Sequence, residues 1–302
     1  AGAAVVRVSL IACLAALLLS ATLGCARNAD PNQGEIVHRE KSMYRDIIVL
    51  ETGTHRCMSF ARRGGMQSCI LKNAPDLLAI PYTRAVFAGL VANPEARRVL
   101  VIGLGGGVIA TAMRRVDPAL RMDVVELDPA VVEVAKTYFG YREDPRLKTF
   151  IGDGRIFVRR QARAGVRYDL IVIDAYERVY VPEHLMSREF LGEVKMLIAP
   201  GGVVASNTFA RGPLAPYEAA TYQSVFDDVR VVDMSMGNRI ILAGRDGLPP
   251  TPTIRDNASR FEARFLESGI FLRELESHPQ PKVAGYRPLT DQYAPANLLF
   301  GE

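Results

Sequence analysis

Residues 98–107 read RVLVIGLGGG, a short apolar run rich in β-branched residues that ends in a cluster of glycines. A run without alternating polar residues is typical of a strand that is buried on both faces. Four later runs have the same character: MDVVEL (122–127), LKTFI (147–151), YDLIVID (168–174) and GVVASN (202–207). Segments with a helical spacing of apolar residues separate these runs. Strands that alternate with helices predict a parallel sheet with helices packed on both of its faces.

The alternation ends in two further runs, DVRVVDM (228–234) and RIILA (239–243), with Gly237-Asn238 between them. A glycine–asparagine turn between apolar runs indicates a β-hairpin, which adds an antiparallel strand to the sheet. This ending occurs in class I S-adenosylmethionine (SAM)-dependent folds, whereas plain doubly wound dehydrogenases lack it. We therefore predict an α/β fold with a Rossmann-like sheet of the class I SAM-dependent, methyltransferase type.

The ends of the first two strands carry residues that suit a nucleoside. Gly103 and Gly105 leave room for a ligand to approach the backbone, and Glu126 is placed to accept hydrogen bonds from both ribose hydroxyls. Val108 stands where a G-x-G-x-x-G fingerprint has its third glycine, which favours a ligand without phosphates over a dinucleotide.

The third strand ends in Gly152-Asp153-Gly154. Asp153 suits a hydrogen bond from an adenine amino group; the alternative is an N-cap for a helix over residues 155–163. Spare carboxylates without a phosphate clamp favour a cationic sulfonium nucleoside as the ligand.

Two short runs ahead of the sheet, Thr54–Phe60 and Met66–Leu71, predict a small N-terminal β-hairpin region. Cys57 and Cys69 would lie near cross-strand positions in this hairpin. A disulfide and a pair of buried thiols are the two alternatives, and either role is structural.

The N-terminus has the layout of a secretory signal, with Arg7, the apolar run VSLIACLAALLL (8–19) and small residues up to Cys25. Residues 22–25 resemble a bacterial lipoprotein signal; an ordinary cleaved signal and an uncleaved anchor are the alternatives. We expect a protein that is exported to the bacterial cell envelope and held at the membrane by this signal or by a lipid anchor.

The composition limits the class of protein. The chain has 302 residues, 49% of them hydrophobic and 23% charged, which excludes a disordered or collagen-like chain. The formal net charge of +4 is small and scattered, so no nucleic-acid partner is expected. The four histidines show no metal-ligand spacing, and no P-loop or G-x-S-x-G elbow occurs. No metal site, NTPase or serine hydrolase is therefore predicted.

Several landmarks between Tyr44 and Asp246 resemble, in their order and spacing, the spermidine synthase (polyamine aminopropyltransferase) family. These landmarks are Tyr44-Arg45-Asp46-Ile47, Tyr82, the loop at Gly103, Val125-Glu126-Leu127-Asp128, Gly152-Asp153-Gly154, Asp174-Ala175-Tyr176-Glu177 and Pro182-Glu183. The C-terminal PLTDQYAP (288–295) resembles the tail of a bacterial spermidine-synthase-like branch that is often membrane-associated.

The resemblance implies transfer of an aminopropyl group from decarboxylated SAM to a polyamine such as putrescine. Decarboxylated SAM would be a co-substrate, and no tightly bound cofactor is expected. Glu126 would hold the ribose, Asp153 the adenine, and Asp174 the aminopropyl amine or the polyamine.

The acceptor side of the site follows from the same resemblance. Glu177 would deprotonate the attacking amine, while Tyr82 and Tyr176 would contact the substrate amine. The alternatives are that Asp174 is a cap and that Glu177 forms a solvated surface pair with Arg178.

Two departures from the family favour an alternative function. Gly106 stands where the family has an aspartate that binds the amine of decarboxylated SAM, and Thr83-Arg84 replaces a glutamine–glutamate pair. A methyltransferase that uses intact SAM, with Arg84 holding the ligand carboxylate, is therefore the second hypothesis. A non-catalytic, nucleoside-binding envelope protein is the third.

We expect the following organisation: a signal (1–25), a tether (26–43), an N-terminal β region (44–75), the Rossmann-like domain (76–246) and a C-terminal helical extension with its tail (247–302). Within the extension, Phe261, Phe265, Leu272 and Leu275 fall on roughly one face, which predicts that it covers the core. Asp291 is either near the active site or part of a turn or cap. A homodimer is a possible assembly.

Overall fold

A computed structural model describes residues 34–60, 65–175, 182–234, 237–296 and 298 of the chain. Two sheets carry the fold. The first is antiparallel and has its five strands in chain order: β1 (Glu35–Lys41), β2 (Asp46–Glu51), β3 (His55–Ser59), β4 (Met66–Leu71) and β5 (Ala74–Leu78). β1 lies within the segment that we expected to be a tether, so regular structure begins ahead of Tyr44. Its residues are mostly exposed, which explains why an apolar pattern does not mark it.

The predicted hairpin is confirmed by β3 and β4, in which Cys57 faces Cys69 and the two sulphurs form a disulfide. This hairpin belongs to the five-stranded sheet, which is larger than the hairpin region that we predicted. The buried face of the sheet, with Ile47 and Met58 among its residues, packs on apolar side chains of a later helix, including Val131.

The second sheet has eight strands: β6 (Arg98–Ile102), β7 (Arg121–Glu126), β8 (Leu147–Ile151), β9 (Tyr168–Ile173), β10 (Ile198–Phe209), β11 (Val229–Asp233), β12 (Asn238–Gly244) and β13 (His278–Pro279). Their order is β13-β11-β12-β10-β9-β6-β7-β8. The strands from β10 to β8 are parallel, and β12 runs antiparallel to both β10 and β11. The predicted Rossmann-like sheet and its closing hairpin are therefore confirmed.

Helices cover both faces of this sheet. They are α1 (Pro81–Ala85), α2 (Ala88–Ala92), α3 (Val108–Val116), α4 (Pro129–Tyr138), α5 (Gly154–Arg163), α6 (Arg188–Leu197), α7 (Ala215–Gln223), α8 (Thr251–Ser259) and α9 (Glu262–Glu267). In β6, Val99 and Val101 pack toward one face, while Leu100 and Ile102 pack toward the other. Each buried aliphatic side chain of this size stabilises the fold by about 1.5–3 kcal/mol.

The C-terminal extension covers the core, as its apolar pattern predicts. Phe261, Phe265 and Leu275 are buried in the cluster that also contains β6, and Leu272 is partly buried against it. The extension contains α8, α9, a 3₁₀ turn (Leu272–Leu275) and the short strand β13, which pairs with β11.

The predicted signal (1–25) lies outside the described residues. Within the part of the chain that the structure describes, no helix has both the length and the apolarity needed to cross a membrane.

Candidate active site

A cavity of about 170 Å³ lies at the carboxyl ends of β6, β7, β8 and β9, the edge at which open α/β sheets bind their ligands. The predicted site residues in its wall are Tyr82, Gly103, Gly105, Glu126, Asp153, Gly154 and Asp174. Chain segments that are far apart in sequence meet here because parallel strands end at the same edge. Tyr176 and Glu177 lie outside the described residues.

The glycine loop leaves β6 in a conformation that only glycine adopts readily. Gly103 has a φ of +96°, and a Cβ at this residue would collide with the carbonyl oxygen of Asp174. The loop and the end of β9 are therefore in direct backbone contact. A larger residue at 103 would push the two walls of the cavity apart.

Glu126 ends β7 with both carboxylate oxygens held by backbone N–H groups. Leu104 donates to Oε2 at 2.9 Å, and Asp128 donates to Oε1 at 3.0 Å. Burial raises the pKa of Glu126, while these hydrogen bonds and the nearby Arg45 oppose that effect. The carboxylate is thus fixed in the cavity wall, and its remaining lone pairs can accept hydrogen bonds from the hydroxyl groups of a sugar.

Asp153 is both a helix cap and part of the cavity wall. Its Oδ1 accepts from the N–H of Ile156, so the N-cap that we gave as an alternative is present at the start of α5. Its Oδ2 lies 2.7 Å from Nε2 of His184, and this contact, together with the cap, holds the pKa of Asp153 below its usual value although burial opposes it. The residue still lines the cavity beside Gly154.

His184 is a cavity residue that the sequence did not point out, because the spacing of the four histidines suits no metal site. It lies in the 3₁₀ turn Glu183–Leu185 and lines the same cavity as Asp153. Its position directly after the motif Pro182-Glu183 is the one signal in the sequence that points to it.

A second, larger cavity of about 840 Å³ lies beside the first, and Gln67, Tyr82 and Asp174 line both. The second cavity has a mainly neutral wall, formed by β4, the turn before α1, and the facing ends of β10 and β12. Its apolar and uncharged polar side chains include Met66, Ile80, Asn207, Thr208, Phe209, Met234 and Asn238. Asp174 is the one carboxylate among the described residues of this wall.

Asp174 therefore lies where the two cavities meet. Its Oδ1 accepts from Nδ2 of Asn207 at 2.9 Å, and its Oδ2 lies 3.3 Å from the hydroxyl of Tyr82. Burial raises the pKa of Asp174 to about 6, and these two hydrogen bonds keep it from rising further. Burial and the Asp174 charge raise the pKa of Tyr82 well above its usual value, so this hydroxyl remains a donor at neutral pH.

Arg84 does not face either cavity. Its guanidinium binds the carboxylate of Glu274 at 2.9 and 3.1 Å and donates to the carbonyl oxygen of Leu78. The hypothesis that Arg84 holds a ligand carboxylate is therefore wrong, because a partner in the C-terminal extension takes this cation. Thr83 is buried, and its hydroxyl donates to the carbonyl oxygen of Ile80.

Gly106 is closed in by its neighbours. A Cβ at this position would lie 2.9 Å from Cβ of Ser68 and 3.0 Å from the ring of Phe139, and the Gly106 N–H donates to Oγ of Ser68. The departure at Gly106 is thus part of the packing between β4 and the glycine loop. No acidic side chain fits here unless these neighbours move.

Residues 82–230 match the sequence profile of the spermine/spermidine synthase domain. The chain is also 37% identical over 278 residues to a polyamine aminopropyltransferase of Vibrio vulnificus, and the alignment covers 88% of this chain and 92% of that relative. The chain belongs to the spermine/spermidine synthase family. Membership in this family confirms the resemblance seen in the sequence and identifies the chain as an enzyme of the aminopropyltransferase type.

Proteins similar to this chain are named for different activities. The structure of a probable spermidine synthase from Corynebacterium glutamicum superposes with a TM-score of 0.67 at 21% identity, covering 85% of this chain and 97% of that one. This likeness supports the fold. Putrescine N-methyltransferase 1 of Nicotiana tabacum is 32% identical over 177 residues, which cover 57% of this chain and 45% of that relative.

Proposed function

We propose that the chain transfers an aminopropyl group from decarboxylated SAM to a polyamine such as putrescine. The observation that carries this proposal is the position of Asp174, a buried carboxylate at the junction of two cavities. One cavity has the residues for a nucleoside, and the other has a mainly neutral wall that suits the methylene chain of an amine. A donor in the first cavity and an acceptor in the second would meet beside Asp174.

On the donor side, Glu126 would accept hydrogen bonds from the ribose hydroxyls, and Asp153 would accept one from the adenine amino group. Gly103, Gly105 and Gly154 would let the cavity walls pack closely around the nucleoside, since a Cβ at these positions would meet Asp174, Ser68 and Ile102 in turn. The support for these roles is that both carboxylates are already oriented by backbone N–H groups, so little reorganisation accompanies binding.

On the acceptor side, the amine arrives mainly as an ammonium ion, since amines of this kind have a pKa of about 10.4. The Asp174 carboxylate is ionised at neutral pH and attracts that cation. Glu177 would remove one proton, and the freed nitrogen lone pair would attack the methylene carbon beside the sulfonium. The new C–N bond forms as the C–S bond breaks, and the electron pair stays on sulphur, which leaves as a neutral thioether.

Two measurements test this proposal. Titration calorimetry with decarboxylated SAM and with intact SAM identifies the preferred donor, and we expect decarboxylated SAM to bind more tightly. Turnover with putrescine should fall by roughly 10²–10⁴-fold in the variant Glu177→Gln if this side chain is the base. Unchanged turnover in that variant would remove Glu177 from the role.

A methyltransferase that uses intact SAM is the second candidate. The observation that favours it is the closed position of Gly106, because no acidic side chain at this point of the loop repels a donor carboxylate. Tighter binding of intact SAM, with a methylated acceptor as the product, would establish this candidate. A protein that turns over neither donor would be the third alternative, a nucleoside-binding protein of the envelope.

We also propose that residues 1–25 direct the chain to the cell envelope, with Cys25 as a lipid attachment point. The support is the order of basic, apolar and small residues in this segment. A Cys25→Ser chain that still partitions with membranes would exclude the lipid as the anchor.

A further inference from the structure

The C-terminal motif PLTDQYAP (288–295) contributes no residue to the wall of either cavity. Its Asp291 nevertheless binds a residue close to the smaller cavity. The carboxylate of Asp291 accepts two hydrogen bonds from Arg155, at 2.6 and 2.8 Å, and one from Oγ of Ser187 at 2.5 Å. Hydrogen bonds from Arg155 hold the pKa of Asp291 below its usual value. The carboxylate is therefore charged at neutral pH.

Arg155 is a buried cation whose N–H groups are all in use. Glu193 of α6 accepts from Nε and Nη2 at 2.9 Å, Asp291 accepts from Nη1 and Nη2, and the carbonyl oxygen of His184 accepts from Nη1 at 3.2 Å. These contacts account for the five donors of a guanidinium. The side chain of Arg155 is only 7% exposed, so an acceptor that is removed is not readily replaced by water.

This cation connects the C-terminal motif to the cavity wall. Arg155 follows Asp153 and Gly154 at the start of α5, and it binds the backbone of His184, whose side chain in turn contacts Asp153. Asp153, Gly154 and His184 all line the nucleoside cavity. A change at Asp291 therefore reaches this wall through a single intermediate side chain.

We propose that Asp291 is a positioning residue for the donor: through Arg155 it fixes Asp153 and the turn at His184 in the geometry that binds the nucleoside. The proposal rests on the proposed function in so far as this cavity takes a nucleoside donor. Asp291 lines neither cavity, and its effect falls on the part of the nucleoside cavity wall that would face the adenine.

The tail has other anchors, so the role of Asp291 is separable from docking of the tail. The N–H of Leu289 donates to Oγ1 of Thr221, the N–H of Arg188 donates to the carbonyl oxygen of Leu289, and Leu289 is fully buried. Replacing Asp291 with asparagine should leave these contacts in place, while Arg155 loses the negative charge and one of the two acceptor oxygens and faces an amide NH₂ group instead.

The test compares Asp291→Asn with the wild-type protein in three measurements. We expect the donor Kd to rise about tenfold, the equivalent of one charge-assisted hydrogen bond. Backbone amides of residues 183–188 should exchange faster with deuterium, because the turn loses its support. The acceptor KM should stay near its wild-type value, since a general loss of structure would raise both constants. Asp291→Glu, which keeps the charge, should recover most of the donor affinity.

Glu95→Gln is the matched control. It removes an exposed ion pair with Arg260, and it lies ahead of β6, at the sheet edge opposite the cavity. Donor affinity should be unchanged in this variant. If Asp291→Asn fails to fold, Arg155→Lys replaces it, since lysine keeps the charge and loses the forked geometry.

Four results separate the outcomes. An unchanged donor Kd in Asp291→Asn overturns the inference, and so does an equal loss in Glu95→Gln. A wild-type protein that binds neither SAM nor decarboxylated SAM overturns the proposed function instead. In that event, unchanged amide exchange at residues 183–188 would also overturn the positioning role of Asp291.

Discussion

Replacing Asn207 with leucine should move the pH dependence of activity in a predictable direction. Asn207 is 6% exposed, and its amide donates to Oδ1 of Asp174 at 2.9 Å. This hydrogen bond favours the ionised carboxylate, and leucine cannot make it. A hydrogen bond to a charged group contributes about 1.5–3 kcal/mol, and one pH unit corresponds to about 1.4 kcal/mol. The pKa of Asp174, about 6 in the wild-type protein, should therefore rise by at least about one pH unit.

The sign of the effect follows from the role of the carboxylate. Because the ionised form attracts the substrate ammonium, activity should fall as the pH drops through the pKa of Asp174. A higher pKa in Asn207→Leu moves this loss to higher pH. The assay is the initial rate of aminopropyl transfer between pH 5 and 9 for both proteins. Ionisation of the substrate is the same in both series, so the difference between the two midpoints reports the enzyme.

Asn238→Leu is the control for this prediction. Its amide donates to Oδ1 of Asn207 at 2.9 Å, one step further from Asp174. Its midpoint should move much less than that of Asn207→Leu. Equal midpoints in Asn207→Leu and the wild-type protein would refute the assignment of the acid limb to Asp174. A midpoint at lower pH would contradict the hydrogen-bond argument itself.

Three further predictions concern stability. Burial raises the pKa of Glu218 to about 8, so this group lowers the stability of the folded state as the pH rises from 4.5 toward 8. Glu218→Gln should therefore raise the free energy of unfolding at pH 9 by on the order of 1–3 kcal/mol and change it little at pH 4. Urea titrations at the two pH values measure this difference. Equal effects at both pH values would contradict this. Replacing Cys57 and Cys69 with serine should cost about 3 kcal/mol, since the bridge closes a loop with a sequence separation of 12; an unchanged urea midpoint would refute the estimate. Gly106→Asp should lower the free energy of unfolding by about 1–3 kcal/mol, because the new Cβ would lie 2.9 Å from Cβ of Ser68. A variant that unfolds at the same temperature as the wild-type protein would contradict this, because the loop would then accommodate the side chain without cost.

The candidate site could be predicted in part because its main residues follow strands. Gly103 and Asp174 directly follow strands, Glu126 ends one, and Asp153 lies two residues beyond another. Parallel strands bring such positions to one edge. The same pattern marked the closing hairpin. Residues whose position depends on a partner far along the chain carried no such signal, and His184 is the clearest example.

Apolar periodicity by itself determined the parallel strands of the large sheet, its closing hairpin and the edge at which the site forms, since burial of one face or both is a local property of the sequence. The tertiary structure decided which polar groups pair. Arg84 binds Glu274, 190 residues away, instead of a ligand, and Asp291 binds Arg155 across 136 residues. A guanidinium pairs with whichever carboxylate the folded chain brings within about 3 Å, and periodicity does not encode that distance.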